Sequence, residues 1–169
     1  MTNIMYYFYS LLTAPGVVVH ELSHAIFCLL SGIKIHRIKL FQFGEAAGYV
    51  VHDEPQRFHQ ALLISLGPLL INSLLALILF SLLIPPYERW QIYVYGYLGI
   101  VIGLHAIPSN GDAKTLFQIA NRRVWKNPFV ILGYPFVLLI YILNLLKRLH
   151  IDLIYVGVLF WLGRIFLKV

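Results

Sequence analysis

The chain has 169 residues, of which 60% are hydrophobic, 15% aromatic and only 12% charged, with a mean hydropathy of +0.79. Soluble domains carry roughly 25% charged residues. A water-soluble globule, a disordered tail, a coiled coil and a collagen-like repeat are therefore excluded, which leaves a membrane protein of one domain. The net charge of +6 does not demand a nucleic-acid partner, because basic loops flanking apolar spans produce the same excess. A single cysteine, Cys28, excludes an internal disulfide and a multi-thiolate zinc site.

The first apolar segment runs from about Met5 to Leu30. It has no basic n-region, so it reads as a retained span rather than a cleaved leader. Thr13 followed by Pro15 marks a helix start, at which the span is expected to kink or restart. From Ile33 to His52 apolar and polar residues mostly alternate around a Gly44–Gly48 turn, the pattern of a β-hairpin with Glu45 at its tip. Asp53, Glu54 and Pro55 then read as the first turn of a second helix. Ala61 to Ile84 is uncharged over about 24 residues, long enough to span a bilayer, and Pro85-Pro86 ends it.

Gln91 to Leu104 forms a third apolar stretch, broken at His105-Ala-Ile-Pro-Ser-Asn-Gly-Asp112. A basic run follows, with Lys114, Arg122, Arg123 and Lys126, then apolar segments from Pro128 to Leu146 and from Leu153 to Leu167. The expected fold is thus an α-helical polytopic membrane protein of about five transmembrane helices, with a small membrane-associated β-hairpin after the first. Counted by alternate loops, Lys34, Arg37, Lys39, Arg57, Lys114, Arg122, Arg123, Lys126 and Lys168 fall on one side, and Arg89, Lys147 and Arg148 on the other. The basic side is expected to be cytoplasmic and the N-terminus outside. Tyr87, Trp90 and Trp125 fit an interfacial aromatic belt.

His20-Glu21-Leu22-Ser23-His24 is a HExxH motif inside the first span. Residues four apart share a helix face, so both imidazoles can bind one metal ion, with Glu21 beside them as general base. Zinc lowers the pKa of a bound water from 15.7 to about 7, which makes a nucleophile available at neutral pH. Two histidines and a glutamate are costly in lipid, by about 2.5–3.5 kcal/mol for a charge at the centre of a span, so they require partners inside the protein. Without a metal, those partners would be hydrogen-bonding groups on neighbouring helices.

A catalytic zinc usually has three protein ligands and one open position. Asp112 is the leading third ligand, because the Ser109-Asn110-Gly111 break lets a carboxylate turn inward. Equally, an Asp after Gly can cap the helix that begins there. His105 competes as a ligand but is also a common satisfied core residue. Cys28, four residues beyond His24, reads more naturally as a small buried apolar group. No ligand role is assigned to His36, His52, His59 or His150, which lie near span ends.

HELSH at 20–24, Gly67-Pro68 with Asn72, and Pro108 with Gly111-Asp112 resemble the site-2 protease family of intramembrane zinc metalloproteases. The likeness covers roughly residues 13–120. The order Gly-Asp and the three residues between Pro68 and Asn72 differ from the family's usual Asp-Gly and Gly-Pro-x-x-Asn. The resemblance implies His20, His24 and Asp112 as ligands of Zn2+, Glu21 as the catalytic base and Asn72 as a substrate-binding residue. It also implies a sheet near the zinc. The domain expectation is a single membrane-embedded metalloprotease domain over 1–169, with its core at about 13–120 and helices 128–168 accessory.

A helical substrate must unwind before it is cut, and the hairpin offers an edge for pairing with an extended segment. Alternatively, the hairpin is a re-entrant element that only packs the helices. The expected activity is hydrolysis of peptide bonds in membrane-embedded protein or peptide substrates, with the lipid bilayer as the other partner. A divalent-metal transporter and a catalytically silent relative that binds membrane segments are the rival readings.

Overall fold

Along the first helix the polar residues face inward. In the computed structural model, which describes residues 2–44, 47–83, 88–125 and 128–165, α1 runs unbroken from Thr2 to Leu30. Ser10, Thr13, Val17, His20, Glu21, His24 and Cys28 are buried along it, at the three- and four-residue spacing that stacks side chains on one face. Ile4, Met5, Phe8, Leu11, Ile26 and Leu29 are exposed. Apolar outside and polar inside reverses the pattern of a soluble helix and suits a lipid solvent.

A two-stranded antiparallel sheet follows, β1 (Ile35–Lys39) and β2 (Tyr49–His52), paired Ile35 to His52 and Lys39 to Tyr49 with an irregularity between Ile35 and Arg37. This is the expected hairpin, although Glu45 lies outside the described residues. The segment after β1 turns back along α1. Tyr7 meets Phe43 edge-on at 5.1 Å, and the Tyr6 hydroxyl bonds to the Gly44 carbonyl.

The second helix does not begin at Asp53. The Asp53 amide still donates to the Lys34 carbonyl at 3.0 Å, extending the strand pairing past His52. Its carboxylate takes a 2.7 Å bond from His36, which holds the Asp53 carboxyl below its usual range. Helix α2 therefore starts at Phe58 and ends at Ser81. It is followed by α3 (Arg89–Leu104), α4 (Asn110–Val124), a 3-10 turn at Pro128–Gly133, α5 (Tyr134–Leu146), a second 3-10 turn at Lys147–Leu149, and α6 (Ile151–Ile165).

Helix α2 is the central post, packed against α1, α3, α4 and α6. Its first half joins α4 and α5 through Ala61, Leu116, Ile119, Val137 and Ile140. Its second half joins α6 through Ala76, Phe80, Val156 and Leu159. Asn72, fully buried, ties three helices: its Nδ2 donates to Ile102 O (3.2 Å) and Gly16 O (3.5 Å), and its Oδ1 accepts from Ser23 Oγ (3.2 Å).

Among the described residues only α1 and α2 are long and apolar enough by themselves to cross a membrane; α5 and α6 qualify only as one pair bent by 112°. Helix α3 has 16 residues, about 24 Å at 1.5 Å per residue, short of a hydrocarbon core of about 30 Å. By length and composition, the described residues thus offer two candidate spans, or three if the bent pair is one span. The bend between α5 and α6 carries the left-handed residue His150 (φ 54°). Lys147, at the C-cap of α5, lines one cavity together with Lys114 and Arg122, which alternate counting places on the opposite side. Ile84, Pro85, Pro86, Tyr87, Lys126, Leu167 and Lys168 fall outside the described residues, as does the Arg148 side chain.

The restart at Pro15 is also absent, since that residue lies inside α1. Proline removes one bond of the helix ladder. Close by, the Leu12 carbonyl accepts from the Tyr97 hydroxyl of α3 at 2.6 Å. The next residue brings α3 nearer still. A Cβ on Gly16 would stand 2.1 Å from Val101 O and 2.5 Å from His105 Nδ1, so only glycine permits this crossing. Gly16→Ala should therefore destabilise the protein by about 1–3 kcal/mol, read as a lower unfolding midpoint in detergent. Gly157→Ala on α6, where nothing lies within 4 Å of the added atom, should lower it little or not at all.

Candidate metal centre

His20 and His24 stand one helical turn apart on the buried side of α1, and their tautomers follow from their partners. His20 Nδ1 lies 2.6 Å from the carbonyl of His105, and His24 Nδ1 lies 3.0 Å from the carbonyl of Ile64. A carbonyl only accepts, so each Nδ1 carries the proton and each Nε2 presents a lone pair. The two Nε2 atoms are 3.2 Å apart.

Asp112 brings the third donor from α4. Its Oδ1 is 3.3 Å from His24 Nε2 and its Oδ2 is 3.6 Å from His20 Nε2. Ligand atoms of these three residues all lie within 4.8 Å of one another. A tetrahedral ion bound at 2.0–2.1 Å needs donors about 3.3 Å apart, which the two Nε2 atoms and the His24 Nε2–Asp112 Oδ1 pair match. Two lone pairs and a carboxylate meeting in a buried site repel one another unless a cation, a metal ion or a shared proton, lies between them. The donor set, two imidazoles and a carboxylate, is one that zinc takes.

The capping role and the ligand role of Asp112 prove compatible. Ser109 is the N-cap of α4 and Asp112 its third residue. Asp112 Oδ2 accepts from Ser109 N at 2.8 Å and from Ser109 Oγ at 2.6 Å, while Ser109 Oγ accepts from Asp112 N at 3.2 Å. This reciprocal box satisfies helix-end donors and leaves Oδ1 turned toward His24. Ser109 reads from the sequence as part of a helix break, and the signal for its capping role is Ser-x-x-Asp ahead of a helix.

Glu21 is buried beside the two histidines. A Cβ on Gly48 would be 2.7 Å from Glu21 Cγ, so the chain entering β2 passes directly over this carboxylate. A cavity of about 270 Å³ is walled by His20, Glu21, His24 and Asp112 together with Gly48, Tyr49 and Val50. A second cavity, of about 390 Å³, also reaches His20 and Glu21 and is lined by His105 and Lys147.

The other candidates lie elsewhere. His105 Nδ1 bonds to Val101 O at 2.9 Å, and its own carbonyl is the group that orients His20. Cys28 is sealed in an apolar cluster with Ile33 and Ile64. Asn72 does not line either cavity; its bonds brace helices, a use of amides common in membrane proteins. His52 lines the first cavity with its Nδ1 held by the Asp53 carbonyl at 2.7 Å.

A family model described as Peptidase M50B-like matches residues 2–111. The chain belongs to this family. The match takes in α1, the sheet, α2 and α3, and stops one residue before Asp112. No curated protein and no solved structure matches the chain. Family membership and two long apolar helices make this a membrane protein of a peptidase family.

The geometry sets a graded order of effects on metal binding, read by chelator competition on purified protein. His20→Ala, His24→Ala and Asp112→Ala should each weaken zinc binding by more than about 100-fold, beyond the usual loss for an outer partner. Ser109→Ala, which removes the Oγ donor to Oδ2 and leaves the backbone N–H bond in place, should weaken it by about 10-fold and lower stability by about 1 kcal/mol. Cys28→Ala should leave affinity unchanged.

Proposed function

We propose that the chain is an intramembrane zinc metalloendopeptidase, a multi-pass protein of the cell membrane that hydrolyses peptide bonds in membrane-embedded protein or peptide segments. The observation that carries this reading is the convergence of His20, His24 and Asp112 within 4.8 Å beside Glu21, in a chain of a peptidase family. Nucleic acid has no part in it, and the bilayer is the medium that presents the substrate.

The division of labour follows from the site. A bound zinc would supply Lewis acidity toward the scissile carbonyl and lower the pKa of the attacking water. His20 and His24 hold their Nε2 atoms in place through the carbonyls of His105 and Ile64. Glu21 takes a proton from the attacking water and returns it to the leaving nitrogen as the C–N bond breaks. Strand β2 pairs with β1 on one side and walls the cavity through Tyr49 and Val50, next to Gly48 at its entry. It is suited to hold an unwound substrate segment by main-chain bonds.

One observation favours the rival transport reading: two cavities reach His20 and Glu21, and transport needs a site open to both faces. Glu21→Gln separates the two. For a peptidase it should cut cleavage of a membrane-embedded substrate in liposomes by about 10²–10⁴-fold or more, with zinc stoichiometry intact. Cleavage that persists in Glu21→Gln would remove the peptidase mechanism, and zinc flux into liposomes that survives the substitution would favour transport.

A further inference from the structure

Asp112 does not reach the histidines on its own. It follows a break between α3, which ends at Leu104, and α4, which starts at Asn110. Carbonyls in such a break have no helical partner and must find one when buried. Pro108 and Ile107 are fully buried, and their carbonyls are taken by side chains from the α5 end. Asn144 Nδ2 donates to Pro108 O at 2.9 Å. Lys147 Nζ donates to Ile107 O at 2.7 Å and to Pro108 O at 3.1 Å.

The peptide unit joining Pro108 to Ser109 is thus held at both ends. Its carbonyl is gripped by Asn144 and Lys147, and its N–H donates to Asp112 Oδ2 at 2.8 Å. The unit is planar, so the direction of the carbonyl fixes the direction of the N–H. Donors on the carbonyl also polarise the amide and strengthen its bond to the carboxylate. Asn144 is buried, and Lys147 lines the cavity that reaches His20 and Glu21.

We propose that Asn144 and Lys147 are positioning residues for Asp112, acting through the Pro108–Ser109 peptide unit to aim its carboxylate at His20 and His24. This rests on the reading of Asp112 as a metal ligand. It also makes α5, which lies beyond the stretch matched to the family, part of the working centre rather than an accessory.

The test uses the full chain in detergent, loaded with zinc or with cobalt. Zinc affinity is measured by chelator competition, ligand geometry by the visible cobalt bands, and folding by the unfolding midpoint. Lys147→Met and Asn144→Leu should each weaken zinc by about 10–100-fold and alter the cobalt bands, and Lys147→Arg, which keeps donors for both carbonyls, should restore them. Lys114→Met, on the neighbouring cavity, should change neither. In an Asp112→Ala background Lys147→Met should cause no further loss, because the two act as one unit. If Asn144→Leu fails to fold, the Lys147→Met and Lys147→Arg pair decides. Unchanged affinity and bands in Lys147→Met, or a full further loss on top of Asp112→Ala, overturn the positioning role while leaving Asp112 as ligand. An Asp112→Ala protein that binds zinc as tightly as the parent overturns the metal reading itself, and the positioning role with it.

Discussion

Three electron-pair donors held against one another inside an apolar chain are the constraint around which this molecule is arranged. Lone pairs on two imidazoles 3.2 Å apart, with a carboxylate at 3.3 and 3.6 Å, are unfavourable unless something cationic joins them. Holding them there requires other bonds to fix every ring and carboxyl orientation. Backbone carbonyls do so for the histidines, those of Ile64 and His105. Both come from places where chemistry-bearing segments cross, the first in α2 and the second at the end of α3.

Close backbone approach is what makes those crossings possible. Gly16 admits α3 against α1, and the crossing brings the His105 carbonyl within reach of His20. Asn72 ties Gly16, Ser23 and Ile102 together at the same level, so the helix that bears the motif and the helix that leads to Asp112 are locked in register. Gly48 does for the sheet what Gly16 does for α3, bringing β2 over Glu21 without a side chain between them. Small residues thus carry the geometry, and polar residues carry the orientation, as expected where lipid supplies no hydrophobic drive between helices.

Asp112 shows how one side chain can serve structure and chemistry together. Oδ2 closes the cap of α4 with Ser109, and Oδ1 points to His24. The cap costs nothing chemically, because a carboxylate has lone pairs enough for both. It also restrains the rotamer, which limits the entropy lost on binding an ion. The order Gly-Asp fits this arrangement: Gly111 lies inside the first turn of α4, and the aspartate takes the third position, where a capping box needs it.

Much of this was legible in the residues themselves. Composition excludes a soluble fold, the HExxH spacing puts two imidazoles on one face, and alternation around glycines marks the hairpin. These are local properties, set by periods of 3.6 and 2 along a single element. Tertiary structure decided the rest. Whether Asp112 meets His20 and His24 depends on how α4 packs on α2, and Asn72 turned out to brace helices because its neighbours lie 30 to 56 residues away. Lys147 reads as a loop charge in the sequence, yet at the C-cap of α5 it donates to the carbonyls of Ile107 and Pro108. Spacing along the chain specifies which groups share a face. Only the packing of separate elements fixes which faces meet, because that depends on contacts between residues far apart in sequence.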